Sequence, residues 1–362
     1  MNKGFTMQNG KYYCCLNDFL AQNRHSNSKM FILVGEYTNF DISYLEFFKG
    51  EICGAIVPFI VYNNEFFNKG IIACTIAGNS DFFLVENLAT FDIEPKLLEN
   101  KESLVVMLDG LSPNITQFLD DLFETVPENT QIIGGGAGKM SFENDPVIFT
   151  KQKMYSNAAV IITTDLKLHI GIENGWEFLE GPFLATSSDK NILKTLNFKN
   201  SFEVYKEIVE KDSGLSFEDD GFFNIAKSYP LGIVKFNNET IVRDPIYIND
   251  DGHLVLVGDV LQNSSINILK GTKENLIKSS GKAAKSAVCD LRKDENDNVF
   301  VFDCISRSIF LGDSFEEELK EIKKYMNPKA NLYGALTLGE IANNGNEYIS
   351  FYNKSCVVGV LC

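Results

Sequence analysis

Histidine occurs only three times in 362 residues (His25, His169, His253), tryptophan once (Trp176), and none of the eight cysteines forms a CxxC pair. A structural zinc site needs Cys and His ligands at short, characteristic spacing, so none is expected. Runs of basic residues are also missing. The 33 Lys and Arg stand against 49 Asp and Glu, a formal charge of −16. Nucleic acids are held by neutralising phosphates with Lys and Arg, and anionic membranes select for the same residues. Neither kind of polyanion suits this chain. The most apolar run, residues 52–62, is broken by Pro58 and falls well short of the roughly 20 residues that cross a bilayer. The N-terminus has no apolar stretch followed by a small-residue cleavage site. The expectation is therefore a cytoplasmic protein with no nucleic-acid partner and no membrane insertion.

What is present is a folded chain. Hydrophobic residues make up 44 % and charged residues 23 %, close to globular averages, and at about 100–200 residues per domain two or three domains are expected. No short repeat is visible. The clearest local signal is a strand–helix–strand unit. Residues 103–108 (SLVVML) suit a buried strand, and Ser112 and Pro113 suit an N-cap and first helical position. Ile115, Phe118, Leu119, Leu122, Phe123 and Val126 then recur at helical spacing until Pro127. A second strand from residue 131 runs into GGGAG at 134–138, and a connection of this length places the two strands parallel.

Elsewhere the N-terminal half reads as strands at 52–62, 70–77, 82–85, 158–163 and 168–172, with a short helix capped by Asp41 and another helix at 201–211. SFEDDG at 216–221 is acidic and turn-rich, and marks a domain boundary. Beyond it, short strands at 232–236, 240–243, 246–248 and 253–257 are separated by Asn237 and Asn238 and by the turn at 249–252. A helix from 273 to about 291, a strand at 299–302, a helix opened by a Ser314/Glu317 capping box, and strands at 333–338 and 348–351 complete the chain. The fold class is α/β, with mixed parallel and antiparallel sheets flanked by helices in two tandem modules.

Several constellations carry possible chemistry. The glycine cluster fails both nucleotide templates: Ile133 and Met140 stand where a P-loop needs Gly and Ser or Thr, and Lys139 where GxGxxG needs its last Gly. Gly135 and Gly136 remain as a side-chain-free loop where a ligand meets backbone N–H groups, or as a tight turn. Cys304 precedes Arg307 by three residues; an adjacent cation would lower a thiol pKa and make a nucleophile, whereas a buried cysteine is inert packing. Arg243, beside Asp244, is placed either to clasp a ligand carboxylate or to be held by an acidic neighbour. Glu340 ends an apolar run and, if buried, needs a partner such as Arg243 or Arg307. His169 lies on a strand and reads as a core or surface residue rather than a metal or haem ligand. Trp176 reads as packing.

The order of these motifs resembles the FIST family of sensory proteins. GGGAG at 134–138 and Gly175–Trp176 with 181–186 resemble its N-terminal domain. YPLGIV (229–234), VRDP (242–245), DGHLVLVGDV (251–260), FDCISR (302–307), LGDSFEEEL (311–319), TLGE (337–340) and FYNK (351–354) resemble its C-terminal domain. The resemblance implies domains at 25–215 and 216–362 and a small-ligand sensor instead of an enzyme. It would bind a metabolite such as an amino acid and report to a receptor, histidine kinase or cyclic-dinucleotide enzyme in trans. Gly135, Gly136, Arg243, Cys304, Arg307 and Glu340 are the expected ligand-binding residues. No cofactor is expected; a haem-binding nitric oxide sensor using His169 is the alternative, since some relatives bind haem, and a Cys304-dependent enzyme is the remaining one.

Overall fold

The computed structural model describes residues 8–75, 80–235, 240–289, 291, 298–343 and 348–361. The Asn237–Asn238 turn and the strand ends at Ala77 and Phe236 lie outside them. The fold is α/β, with mixed sheets flanked by helices.

Three six-stranded sheets share one plan. Each is built on an edge strand, a parallel pair, a hairpin and a return strand. In the first repeat these are Gln8–Tyr13, the pair Lys29–Gly35 and Glu51–Val57, the hairpin Phe59–Tyr62 with Glu65–Phe67, and Ile71–Thr75. In the second they are Asp81–Val85, the pair Ser103–Asp109 and Gln131–Ala137, the hairpin Ile148–Thr150 with Met154–Tyr155, and Ala159–Thr164. In the third they are Leu168–Glu173, the pair Asn298–Cys304 and Asn331–Thr337, the hairpin Glu340–Ala342 with Ser350–Tyr352, and Cys356–Leu361. Every hairpin leaves its own sheet and pairs with the second parallel strand of another. The first joins the third repeat, the second the first, and the third the second. The exchange closes in a ring.

Hydrogen bonds fix the correspondence residue by residue. Asn63, Lys151 and Asn343 donate their backbone N–H to Leu332 (2.7 Å), Ile52 (3.1 Å) and Ile132 (3.2 Å). Gly35, Asp109 and Cys304 donate to Gly70 (3.0 Å), Ala158 (2.9 Å) and Ser355 (3.2 Å). Glycine holds the middle of each second parallel strand. A Cβ at Gly54, Gly134 or Gly334 would lie 2.0, 1.8 or 1.8 Å from the carbonyl oxygen of Ile32, Val106 or Val301, a distance no side chain tolerates.

One apolar core draws from all three sheets, through Ile32, Val105, Met107, Phe300, Phe302 and Tyr333 among others. The helix Ile115–Thr125 covers the second sheet with Ile115, Phe118, Leu119 and Leu122. Helices Lys273–Ala287 and Phe315–Lys323 cover the third. Between Leu168–Glu173 and Lys273–Ala287 the chain builds an eight-stranded sheet, running from Glu177–Asp189 to Ser265–Lys270. It carries the helix Ser201–Ser213 and a core of its own around Leu193, Tyr205, Leu231 and Ile266. The divide expected at 215/216 falls inside this insertion.

Three local expectations are corrected. The glycine cluster is strand, not loop: Gln131–Ala137 pairs on both sides, and Gly136 N–H donates to Gly339 at 2.8 Å. Ser112 does not cap a helix begun by Pro113; the helix starts at Ile115, and the Ser112 hydroxyl accepts from Asn114 N–H at 3.0 Å. Ser314 makes no capping bond because the 3₁₀ turn Gly312–Ser314 already holds it in helical geometry, while an N-cap needs extended backbone. Asp41 does cap its short helix, accepting from Ser43 N–H at 3.0 Å.

Candidate functional site

The third repeat departs from the other two in what it buries. Asp303 occupies the position of Val34 and Leu108, and Glu340 that of Ile60 and Ile148. All six are buried. The fold itself accepts aliphatic side chains at both places, so the carboxyls are not required by the architecture. Burying an ionisable group carries a large desolvation cost unless it is paired, and Asp303 meets its partner, Arg307, at the joint where the insertion leaves the third repeat.

Arg307, on the helix Ile305–Leu311, is wholly buried at the centre of this joint. Its Nε lies 3.2 Å from Asp303 Oδ1, and Nη2 pairs with Glu318 and donates to Leu276 O at 3.1 Å. Nη1 donates to Asn174 O and, at 3.5 Å, to Lys354 O. Burial raises Asp303 and pushes Glu318 up to about 8, against the pull of Arg307. Desolvation is the larger effect on both carboxyls, and the Arg307 guanidinium opposes it.

A second ion pair crosses the joint. Lys354, buried in the third repeat, lies 3.1 Å from Asp244 Oδ2 in the insertion. Its Nζ also donates to Lys227 O at 3.0 Å and stands 4.9 Å above the Trp176 ring, whose Nε1 donates to Lys354 O at 3.0 Å. Trp176 is packing, as expected, and is also a clasp between strands. Glu340 accepts from Thr337 Oγ1 and from Ser355 N–H, both at 3.2 Å, and desolvation drives its pKa well above the carboxylate range. It has no arginine partner among the described residues, contrary to expectation. Gly135 faces Glu340 in register, and a Cβ there would press on Thr337 at 2.7 Å.

The six expected residues take roles other than those expected: Gly135 and Gly136 are strand residues of the second repeat paired with Glu340 and Gly339, Cys304, Arg307 and Glu340 lie in the third repeat, and Arg243 lies in the insertion. Arg307 is committed to Asp303 and Glu318 and presents nothing to a ligand. Cys304 is not activated: burial first, and then Glu340, push its thiol upward, and Arg307 is turned to other partners. Arg243 makes no ion pair with Asp244 or any other described carboxylate, although burial disfavours its charge and the nearby Asp259 carboxylate supports it. Its Nε donates to Asp259 O at 3.0 Å, and Nη1 to Val242 O at 3.1 Å and Phe351 O at 3.3 Å. It is half-buried, and its Nη2 has no partner among the described residues. His169 is half-buried in Leu168–Glu173, in register with Val360.

Glu318, Lys354 and the pairing of Asp244 escaped the sequence reading. Glu318 had a signal, since it falls within the apolar stripe Phe315, Leu319, Ile322 on a helix face. Lys354 and Asp244, 110 positions apart by number (354 − 244), had none.

The sequence profile of the FIST N domain matches residues 46–199, and that of the FIST C domain residues 201–343. No curated protein matches the chain. Among the described residues no helix is long and apolar enough to cross a membrane.

Proposed function

The chain belongs to the FIST family, whose domains are small-ligand sensors of signal transduction, and on that premise we propose that it is a cytoplasmic sensor. It holds an anionic metabolite such as an amino acid at Arg243 and passes occupancy to a signalling protein in trans, of the receptor, histidine kinase or cyclic-dinucleotide enzyme class. The observation that carries this reading is the free Nη2 of a guanidinium whose other nitrogens are fixed on carbonyls of both the insertion and the third repeat. Such an arginine is pre-aimed, so little rotamer entropy is lost on binding a carboxylate. A ligand that touches both sides of the joint favours their docked arrangement over any looser one, and that differential affinity is what a sensor needs. In this reading Gly135, Gly136, Cys304, Arg307 and Glu340 form the framework behind the ligand and carry no chemistry on it, and no haem takes part.

The test is a thermal-shift panel of amino acids and small carboxylates on the wild type and Arg243→Gln. A ligand at a hundred times its Kd stabilises by about 2.7 kcal/mol, a plain shift in midpoint that R243Q should lose. A wild-type midpoint unmoved across the panel would remove the support. A Soret band after expression with haem supplied would favour the His169 alternative.

A further inference from the structure

The ring of exchanged hairpins creates three equivalent seams between sheets, and comparing them shows where side chains are missing. At the seam between the third and first sheets, Tyr62, Tyr333 and Tyr12 fill the space. Tyr62 and Tyr333 are in register, and the Tyr12 and Tyr62 rings stack at 6.2 Å. The corresponding positions at the seam between the first and second sheets are Thr150, Cys53 and Leu84. Thr150 pairs with Cys53 as Tyr62 does with Tyr333, and Leu84 pairs with Val160 as Tyr12 does with Ile72. These three line a cleft of about 390 Å³. At the third seam the insertion lies across the hairpin, through Lys235 to Ser350 at 3.0 Å and Arg243 to Phe351.

We infer that this cleft is a second binding site, for a single-ring aromatic carboxylate. Thr150 and Leu84 stand where Tyr62 and Tyr12 do, so two rings are missing from this seam, whereas Phe82 takes the place of Gly10, against which the Tyr333 ring packs. Ile52, Phe82 and Val160 form an apolar wall beside the polar Thr150, Lys151 and Gln152. Cavities of about 150 Å³ already accept benzene, and ligand pockets begin near 300 Å³. The charge at the rim fixes the sign. Lys151 borders the cleft, with its ammonium anchored on Phe48 O and further protons to donate. Glu51, the acidic residue on that rim, lies 3.6 Å from Lys29 Nζ and is offset by it. An anion on the ring meets Lys151 while the ring replaces the missing side chains.

The experiment uses benzoate, benzyl alcohol and cyclohexanecarboxylate as probes, read by saturation-transfer NMR and thermal shift on the full chain. Benzoate should saturate the wild type and bind more tightly than the other two. Thr150→Tyr, which rebuilds the ring of the equivalent seam, should weaken benzoate at least about tenfold with the melting midpoint held or raised. Leu84→Tyr does the same from the opposite sheet should T150Y misfold. Lys151→Gln should abolish the preference for benzoate over benzyl alcohol. Arg243→Gln should leave benzoate binding intact, which separates this site from the joint. Absence of saturable binding to the wild type, benzoate binding by T150Y and L84Y equal to wild type, or its loss in R243Q would each overturn the inference.

Discussion

Raising the pH should destabilise this protein through the neutral range, and Glu318 should be the reason. Its carboxyl is wholly buried against Arg307 and Asp303 and is pushed from 4.5 to about 8, chiefly by desolvation. Between those two values the folded chain keeps a proton that the unfolded chain has released. The number of protons bound is then larger in the native state, and stability falls as pH rises. The contribution is fully present below the unfolded value and is lost as pH climbs through the folded one. One proton corresponds to a slope on the order of 1 kcal/mol per pH unit, so roughly 4 kcal/mol disappears between about pH 5 and about pH 8. Arg307, Asp303 and Cys356 are the ionisable neighbours in this pocket, and Arg307 keeps its charge throughout. Urea unfolding across that range measures the slope directly. Glu318→Gln cannot ionise, so its slope should be flatter by one proton. A wild-type profile flat across the neutral range, or a slope identical in E318Q, would refute the raised pKa of the buried Glu318 carboxyl.

Two further outcomes follow from the same geometry. Gly334→Ala should cost about 1–3 kcal/mol or more in urea unfolding, because its Cβ would meet the Val301 carbonyl oxygen at 1.8 Å; a neutral effect would count against the close strand approach on which the repeat rests. Cys304 should resist iodoacetamide in the native protein near neutral pH and react once unfolded, as peptide mapping by mass spectrometry would show, since burial and Glu340 hold its thiol protonated; fast native labelling would restore the nucleophile reading.

Much of the fold could be read locally. The strand at 103–108, the helix face of Ile115, Phe118, Leu119 and Leu122, and the helix closed by Gly214 stand where periodicity and turn chemistry put them. Errors arose where a residue's local preference yielded to distant partners. Consecutive glycines suggest a loop, but Gly134 is needed because the Val106 backbone approaches too closely for any side chain. The threefold repeat was invisible because exchanged hairpins scatter its contacts, and the three copies share hydrogen bonds more than side chains.

Sequence alone determined the α/β class, the family and the residue types from which a site could be built, because these depend on local pattern and composition. Which charges meet was decided only by tertiary structure. Arg307 is spent on Asp303 and Glu318 while Arg243 keeps a free nitrogen, and that difference depends on what packs around each guanidinium. Desolvation and pairing are properties of assembled surfaces, and neither is written in the spacing of a single chain.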